Sequence, residues 1–262
     1  MHRRWILCGL GRLGNSLNQA FNDSGCSWDL ICPSSSYSSQ SQIIQSQHGV
    51  QFIAWADLLE TLVEGDVLVL SINDASILSF AQQADKKKGV VIIHCSGGTQ
   101  LPILGHAYSG VFYPLQTFSY QNKPNWKEIP VFLEFQNSIV LDSLLELADK
   151  LGVSKQNINH CSSEQRLKVH VAAVFANNFV QTCVAISAEL LKESGFNFDV
   201  MLPILHQMSL TWEMGNPSAA ITGPAVRDDK KTMQKHLRLL ENHPQWHELY
   251  ARFSEIIKQM KS

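Results

Sequence analysis

The sequence predicts an α/β chain in which a doubly wound parallel sheet is followed by an all-helical C-terminal domain. Three observations carry that prediction. From the N-terminus to about residue 135, short β-branched runs alternate with helical stretches, the pattern of a parallel sheet with crossover helices. A glycine-rich turn, Gly9-Leu10-Gly11-Arg12-Leu13-Gly14, directly follows the first run and opens a helix. Beyond Ser162 the strand signals stop and long helical periodicity takes over.

Strands are expected at 5–8, 28–32, 50–54, 66–72, 90–94, 110–112 and 131–134, several of them apolar almost throughout, as strands covered on both faces must be. Helices fall between them at 13–24, 39–48, 57–62, 74–84 and 99–107, with Asp74 placed to cap its helix. A helix at 140–151 and a short apolar piece around Ile158 make a hinge region. Four helices follow, at 164–193, 199–214, 229–242 and 245–260. The expected division is a dinucleotide-binding domain, 1–155, and a helical substrate and dimerisation domain, 156–262. One low-complexity segment, rich in Ser and Gln, spans 34–47, where a strand-to-helix connection belongs.

Composition narrows the function classes. With 262 residues the chain can bury a sizeable core, and its 21 Lys+Arg against 23 Asp+Glu leave a formal net charge of −2. Nucleic-acid binding draws its affinity from clustered cations, and here only Arg3-Arg4 and 86–88 cluster, so no nucleic-acid partner is expected. Six cysteines without a CxxC pair or Cys/His ligand spacing argue against a zinc site or a disulfide framework, and no metal is expected. A reducing cytoplasm fits them. The apolar stretch from Trp5 to Leu10 is too short for a secretory leader, and no apolar run reaches the roughly 20 residues of a membrane span.

The glycine turn is the strongest motif, because a G-x-G-x-x-G between a strand and a helix assigns each glycine a task. Gly9 permits the tight turn, Gly11 lets the backbone approach a pyrophosphate, and Gly14 lets helix and strand pack closely; free N–H groups at the helix start hold phosphates. This is the opening of a Rossmann-type, dinucleotide-binding unit. A ribose-binding acid is expected about 20 residues onward, yet Pro33-Ser34-Ser35-Ser36 stand there, and Asp29 lies at the wrong end of its strand. Without that acid a 2′-phosphate meets no repulsion and the hydroxyls of Ser34 and Ser35 can donate to it, so NADP is favoured over NAD. No Lys or Arg occurs from Leu13 to Asp85, and Arg12 is the chosen cationic partner.

Two more strand ends belong to the crevice. Ile72-Asn73-Asp74 passes the cofactor after the fourth strand, and His94-Cys95-Ser96-Gly97-Gly98 places small polar groups near the nicotinamide. Ser96 reads equally as a substrate ligand and as a helix-start residue, and His94 as a satisfied buried histidine. In the helical half, Leu167, Val171, Val174 and Phe175 repeat at core spacing, whereas Arg166, His170, Asn177 and Gln181 fall on one polar stripe, with Asn178 one step around. Histidine suits proton donation near neutral pH, so His170 is the expected acid/base and Asn177 or Asn178 the orienting amide. A stripe that packs against another helix or a second copy is the competing reading. Arg227, near the turn Thr222-Gly223-Pro224, is available to clamp a substrate carboxylate or phosphate, or to pair with Asp228 or Asp229.

Taken together, Gly9 to Gly14, residues 72–77, His94 to Gly98, Tyr113-Pro114-Leu115-Gln116-Thr117-Phe118, residues 170–179 and residues 221–229 resemble a bacterial family of NADP-oxidoreductase-like proteins with a C-terminal helical domain of unknown function. More distantly the chain is similar to deazaflavin-dependent NADP oxidoreductases, pyrroline-5-carboxylate reductases and the 6-phosphogluconate dehydrogenase-like group. The resemblance implies a Rossmann domain followed by a helical one. The combined reading is an NADP-preferring oxidoreductase acting on a small carbonyl or imine compound, with Gln116 and Arg227 at the substrate, and the four long helices, whose apolar faces exceed what one small layer can bury, predict a homodimer through the helical half. A nucleotide-binding regulator or scaffold without turnover is the alternative. Three positions depart from the family pattern: Pro33 stands where a basic residue is usual, Tyr113 where a histidine often precedes Pro-Leu-Gln, and Asp228 where Arg-Gly-Asp has its glycine.

Overall fold

The computed structural model describes residues 3–33, 51–84, 86–101, 107–213, 215 and 217–261. Ser34, Ser35 and the helix expected at 39–48 lie outside them, as does most of the helix expected at 99–107. The chain forms two compact units, Met1–Phe175 and Ala176–Ser262.

In the first unit β1 (Trp5–Cys8) leads into α1 (Arg12–Asp23), and β2 (Leu30–Cys32), α2 (Trp55–Thr61), β3 (Val67–Leu70), α3 (Asp74–Ala84), β4 (Val91–His94), β5 (Ser109–Pro114), β6 (Val131–Phe135), α4 (Ser138–Lys150) and β7 (Ile158–His160) follow. The strands make one seven-stranded sheet in the order β2-β1-β3-β4-β5-β6-β7. Every pairing is parallel except β5 with β6, which run antiparallel. Because side chains alternate along a strand, the sheet carries a core on each face. Leu7, Val69 and Ile93 pack on one side with Phe21 of α1 and Leu144 of α4, and Ile6, Leu68 and Ile92 on the other with Leu58 of α2 and Ile77 of α3. That arrangement is a doubly wound Rossmann-type sheet. Phe21 stacks on Trp28 at 3.9 Å between ring centroids, which ties α1 to the approach of β2.

Several boundaries differ from expectation. The strand expected at 50–54 is a single bridge, Ile31 to Phe52, because the chain turns at Ala54 into α2. The second strand starts at Leu30 rather than 28: the Asp29 carboxylate accepts the Trp5 N–H at 2.7 Å and closes the ladder there. The piece around Ile158, expected to be part of a hinge, is strand β7, paired with β6 at the sheet edge. Its three residues are half-exposed or exposed, so they carry no buried-strand signal.

After β7, α5 (Ser163–Ala173) begins with a capping box in which Ser162 and Gln165 satisfy each other's backbone N–H groups. A π-helical turn, Val174–Phe179, then leads into α6 (Val180–Glu193), so the helix expected at 164–193 is continuous but not uniformly α-helical. In the second unit a 3-10 turn, Phe198–Met201, enters α7 (Leu202–Glu213), and α8 (Lys230–Leu239) and α9 (Pro244–Lys261) complete it. His236 and Tyr250 hydrogen-bond between α8 and α9 at 2.8 Å. The helix Ser163–Glu193 is, by length and composition, long and apolar enough to cross a membrane, a measure that core helices of soluble proteins also meet, and none of its most apolar window is buried.

Candidate active site

The parallel register sets the C-terminal ends of β1, β3 and β4 side by side, Cys8 beside Leu70 and Leu70 beside His94. Strand order reverses between β1 and β3, and in such sheets ligands bind at that switch point. The glycine turn sits there, and each glycine does a separate job. Gly9 has φ +95°, a left-handed conformation, and a Cβ on it would lie 2.5 Å from the Ser71 carbonyl oxygen. A Cβ on Gly14 would lie 2.1 Å from the Gly9 carbonyl oxygen, so α1 can approach the turn this closely only without a side chain. Among the described residues nothing lies within 4 Å of a Cβ placed on Gly11, which leaves room beside the turn for a pyrophosphate. Gly11 is also the N-cap of α1, without side-chain capping and with no acid in the first turn, which leaves helix N–H groups available to an anion. Arg12 beside it is exposed, with no partner among the described residues. Leu10 is buried and Leu13 packs partly against the core.

Sequence reasoning missed Ser71. Its hydroxyl reaches both the Cys8 and Gly9 carbonyl oxygens, at 3.0 and 2.9 Å, and its N–H donates to Cys8 at 2.8 Å, so it clamps the glycine turn to β3. A small hydroxyl residue directly after the apolar run 67–70 was the only signal. The next residues correct the expected cap: Asn73 Oδ1, not Asp74, accepts the Ser76 N–H of α3, at 3.0 Å. Asp74 instead accepts the Ser96 hydroxyl at 2.7 Å, while Ser96 Oγ accepts from the N–H groups of Gly98 and Thr99 at 3.1 and 2.9 Å. One donated and two accepted bonds use the full capacity of a hydroxyl, so Ser96 orders the turn after β4 and ties it to α3 beside Ile72, which is half-buried. Cys95 is buried, and burial pushes its thiol up to about 12, which keeps it uncharged at neutral pH.

Under that turn lies a cluster of polar side chains from β4, β5, β6 and α5. His94 is fully buried; its Nδ1 accepts from the Ser96 N–H at 3.2 Å, and its Nε2 has no partner among the described residues. Burial, reinforced by the charge of Arg166, holds the imidazole down to about 3, so it is neutral. Arg166, also fully buried, pairs with Glu134 of β6 and donates to the Thr99 carbonyl. Ser163 adds a hydrogen bond to the same carboxylate at 2.7 Å. One helical turn past Arg166, His170 Nδ1 lies 3.0 Å from the Tyr113 hydroxyl, and the rings meet edge-on at 5.8 Å. Gly97 is the floor of this contact: a Cβ there would sit 2.7 Å from His170 Nδ1 and 3.0 Å from Tyr113 Cε2. Thus the structure brings together His170, Tyr113 and the turn carrying Cys95, Ser96 and Gly97. It also explains why the first unit continues to Phe175, past the expected division at 155, since Arg166 and His170 hold the start of α5 to the sheet.

The remaining expected residues are placed differently. Arg166 faces the core rather than a substrate. The π turn, with more residues per turn than an α-helix, breaks the spacing that put Asn177 on one stripe with His170; Asn177 is half-buried, Asn178 is exposed, and their side chains meet at 3.5 Å. Gln116 is exposed and folds its carbonyl onto the neighbouring Thr117 N–H at 2.8 Å. Arg227 is exposed in the second unit. Beside it Asp228, which replaces the family's glycine, adopts φ 49° and keeps the left-handed turn, a conformation that Asp tolerates better than most residues. Its carboxylate pairs with Lys258 and Lys230, which holds it below the usual carboxylate range. Among the described residues no group of three His, Cys, Asp or Glu side chains could hold a metal ion.

Residues 129–257 match the family described as a domain of unknown function, DUF2520. A candidate NADP oxidoreductase from Bacteroides fragilis is 30% identical over 98% of this chain and 98% of its own, with a TM-score of 0.84. The chain belongs to the NADP-oxidoreductase-like Rossmann family with this C-terminal domain. Further members of the same fold have lower identity to this family member. An NADH-preferring ketol-acid reductoisomerase from an uncultured archaeon is 15% identical, with 98% of this chain and 88% of that chain covered and a TM-score of 0.63. A pyrroline carboxylate reductase from Plasmodium falciparum, determined with NADP bound, is 12% identical, with 100% and 99% covered and a TM-score of 0.58. No curated protein sequence matches the chain.

Proposed function

We propose that the protein is an NADPH-dependent oxidoreductase that transfers hydride between the cofactor and a small carbonyl or imine compound. The observation that carries this reading is the division of labour in the glycine turn: Gly9 left-handed, Gly14 in backbone contact, Gly11 open. Those are the three tasks of a dinucleotide fingerprint. A nicotinamide dinucleotide therefore fits, with the 9–14 turn and the uncapped start of α1 at its pyrophosphate and residues 72–74 and 95–96 along its path toward the nicotinamide end. The names of relatives with NADP or NAD(P) chemistry support the same cofactor class. NADP is preferred over NAD because no acid stands at the end of β2, where Ser34 and Ser35 occur in the sequence, and because Arg12, beside the turn, is exposed with no partner among the described residues.

When bound, the cofactor supplies hydride chemistry. The chain's own task is then to orient the substrate and to provide the proton that the developing alkoxide or amine requires. His170, in contact with the turn after β4, is the proposed donor, and Asn177 or Asn178 the orienting amide, with Gln116 and Arg227 as proposed substrate ligands. We further propose that residues 156–262 serve substrate binding and dimerisation. The apolar helix Ser163–Glu193, together with exposed Phe196, Leu202, Ile204 and Leu239, is the surface that a second copy would cover. The six free cysteines suit a reducing cytoplasm.

Calorimetric titration with NADPH and NADH, combined with cofactor oxidation across keto acids, aldehydes and cyclic imines, tests the reading. Tighter NADPH binding, weakened selectively by Arg12→Ala, together with turnover of at least one carbonyl or imine, is expected. Binding without turnover of any compound would leave a nucleotide-binding regulator; absence of binding would remove both readings.

A further inference from the structure

We propose that Tyr113 is the positioning residue of His170: its phenolic oxygen accepts the imidazole Nδ1–H and leaves Nε2 as the one ring nitrogen that exchanges a proton. The inference rests on the oxidoreductase reading for its consequence, but its geometry stands apart from it.

The two groups meet at 3.0 Å, with the rings edge-on, and Gly97 lies against the same edge of the imidazole, so close that a Cβ there would sit 2.7 Å from Nδ1. Arg166, one turn earlier on α5 and bound to Glu134 and Thr99, fixes the height of the helix against the sheet. The direction of the hydrogen bond follows from proton bookkeeping. A neutral imidazole carries one N–H. Were it on Nε2, with the tyrosine donating to Nδ1, loss of that proton to substrate would leave an imidazolate, which is inaccessible near neutral pH. With the proton on Nδ1, the ring alternates between imidazolium and neutral imidazole through Nε2 alone, and the Tyr113 oxygen accepts from Nδ1 in both states. In a reduction the new C–H bond would be made by hydride from the nicotinamide, the π pair of the C=O or C=N bond moves to the heteroatom, that heteroatom takes its proton as the imidazolium Nε2–H bond breaks, and solvent restores the proton to Nε2. Burial raises the Tyr113 phenol, which keeps the hydroxyl protonated and a neutral acceptor throughout. Sequence alone could not show this, since the substitution of Tyr for His at 113 reads as the loss of a functional group rather than as a fixed partner for another one.

The test needs no known substrate. Nitrogen-15 NMR of the full-length protein labelled at histidine, with the His170 signals assigned by their loss in His170→Gln, reports which ring nitrogen is protonated. The expected wild-type spectrum shows a protonated Nδ1 and a bare Nε2, and Tyr113→Phe, which keeps the ring and removes the acceptor, shifts His170 toward the Nε2–H form that a free imidazole side chain prefers. At a pH where the ring carries a single proton, a wild-type ring with that proton on Nε2, or a Tyr113→Phe spectrum identical to wild type, would overturn the proposal; the wild-type spectrum decides even if the variant does not fold. For any carbonyl or imine that the wild type reduces, Tyr113→Phe should lower kcat by roughly 10- to 100-fold, the range for loss of an orienting partner, with KM and NADPH affinity nearly unchanged. If the tautomer is as expected while no compound is turned over, the oxidoreductase reading fails and the positioning stands.

Discussion

Replacing His94 by Asn should flatten the acid limb of the stability curve by an amount that the structure fixes. In the folded protein the imidazole is held to about 3, by burial first and by the Arg166 charge second, whereas its ordinary value is 6.5. A base whose folded value is depressed contributes nothing above the unfolded value, where both states are neutral, and costs the fold progressively more stability as pH falls from the unfolded value toward the folded one. At pH 7 both states are mostly neutral and the group is silent. At pH 5 the unfolded chain binds a proton at this position and the folded chain does not, which costs about 1.4 pK units, or about 2 kcal/mol. The figure depends little on the folded value so long as that stays below about 4. Asn at 94 keeps an acceptor for the Ser96 N–H and removes the titration. Urea denaturation of both proteins at pH 7 and pH 5 therefore isolates the term, because every other titrating group cancels in the comparison. The wild type should lose about 2 kcal/mol more than the variant over this interval; equal losses would mean that His94 titrates normally and that its burial beside Arg166 has been misread.

Two other expectations are quicker to check. Gly14→Ala forces a methyl group against the Gly9 carbonyl and should cost about 1 to 3 kcal/mol in thermal or chemical denaturation, whereas Gly11→Ala, at φ −65° with open space around its Cβ, should change stability by less than about 1 kcal/mol yet weaken NADPH at least about tenfold in the calorimeter; equal effects of the two on folding and binding would contradict the assigned roles. Light scattering at micromolar concentration should give a dimer, and a monomer that instead sediments with phospholipid vesicles would assign the apolar Ser163–Glu193 helix to a lipid surface.

How far the sequence could be read depended on whether a residue's task was local. Gly9, Gly11 and Gly14 act through the backbone within six residues, so their spacing states their roles and the structure only adds distances. The doubly wound sheet was legible for a similar reason: parallel strands buried on both faces are apolar without alternation, and Val67–Leu70 and Val91–His94 stand out. Edge elements were not. Ile158–His160 pairs on one side only and is half-exposed, so nothing in its composition distinguishes it from a loop. Asp74 and Asn73 are both good caps, and the choice between them was made by Ser96, 22 positions along the chain, which draws the Asp74 carboxylate away. The π turn at Val174–Phe179 has no composition signal either, and it undid the one step of stripe geometry that reached across it.

Arg166 and His170 show the same limit at the centre of the site. A step of four residues places them on one face of α5, so sequence periodicity correctly predicts that they share surroundings, and it cannot say that those surroundings split within one turn. Arg166 is enclosed, with Glu134 and the Thr99 carbonyl as partners, and a guanidinium so engaged is not free to meet a substrate. Such a pair adds little net stability compared with apolar packing, yet leaving either partner unpaired costs about 3 to 5 kcal/mol, so the arrangement resists small shifts of the helix. His170, one turn on, is half-buried, meets the hydroxyl of Tyr113 and occupies the space that a Cβ on Gly97 would need. The buried ion pair thus sets the depth at which α5 lies on the ends of β4 and β6, and that depth brings His170 against the turn after β4. A residue with no chemistry of its own in the reaction decides where the proposed proton donor stands.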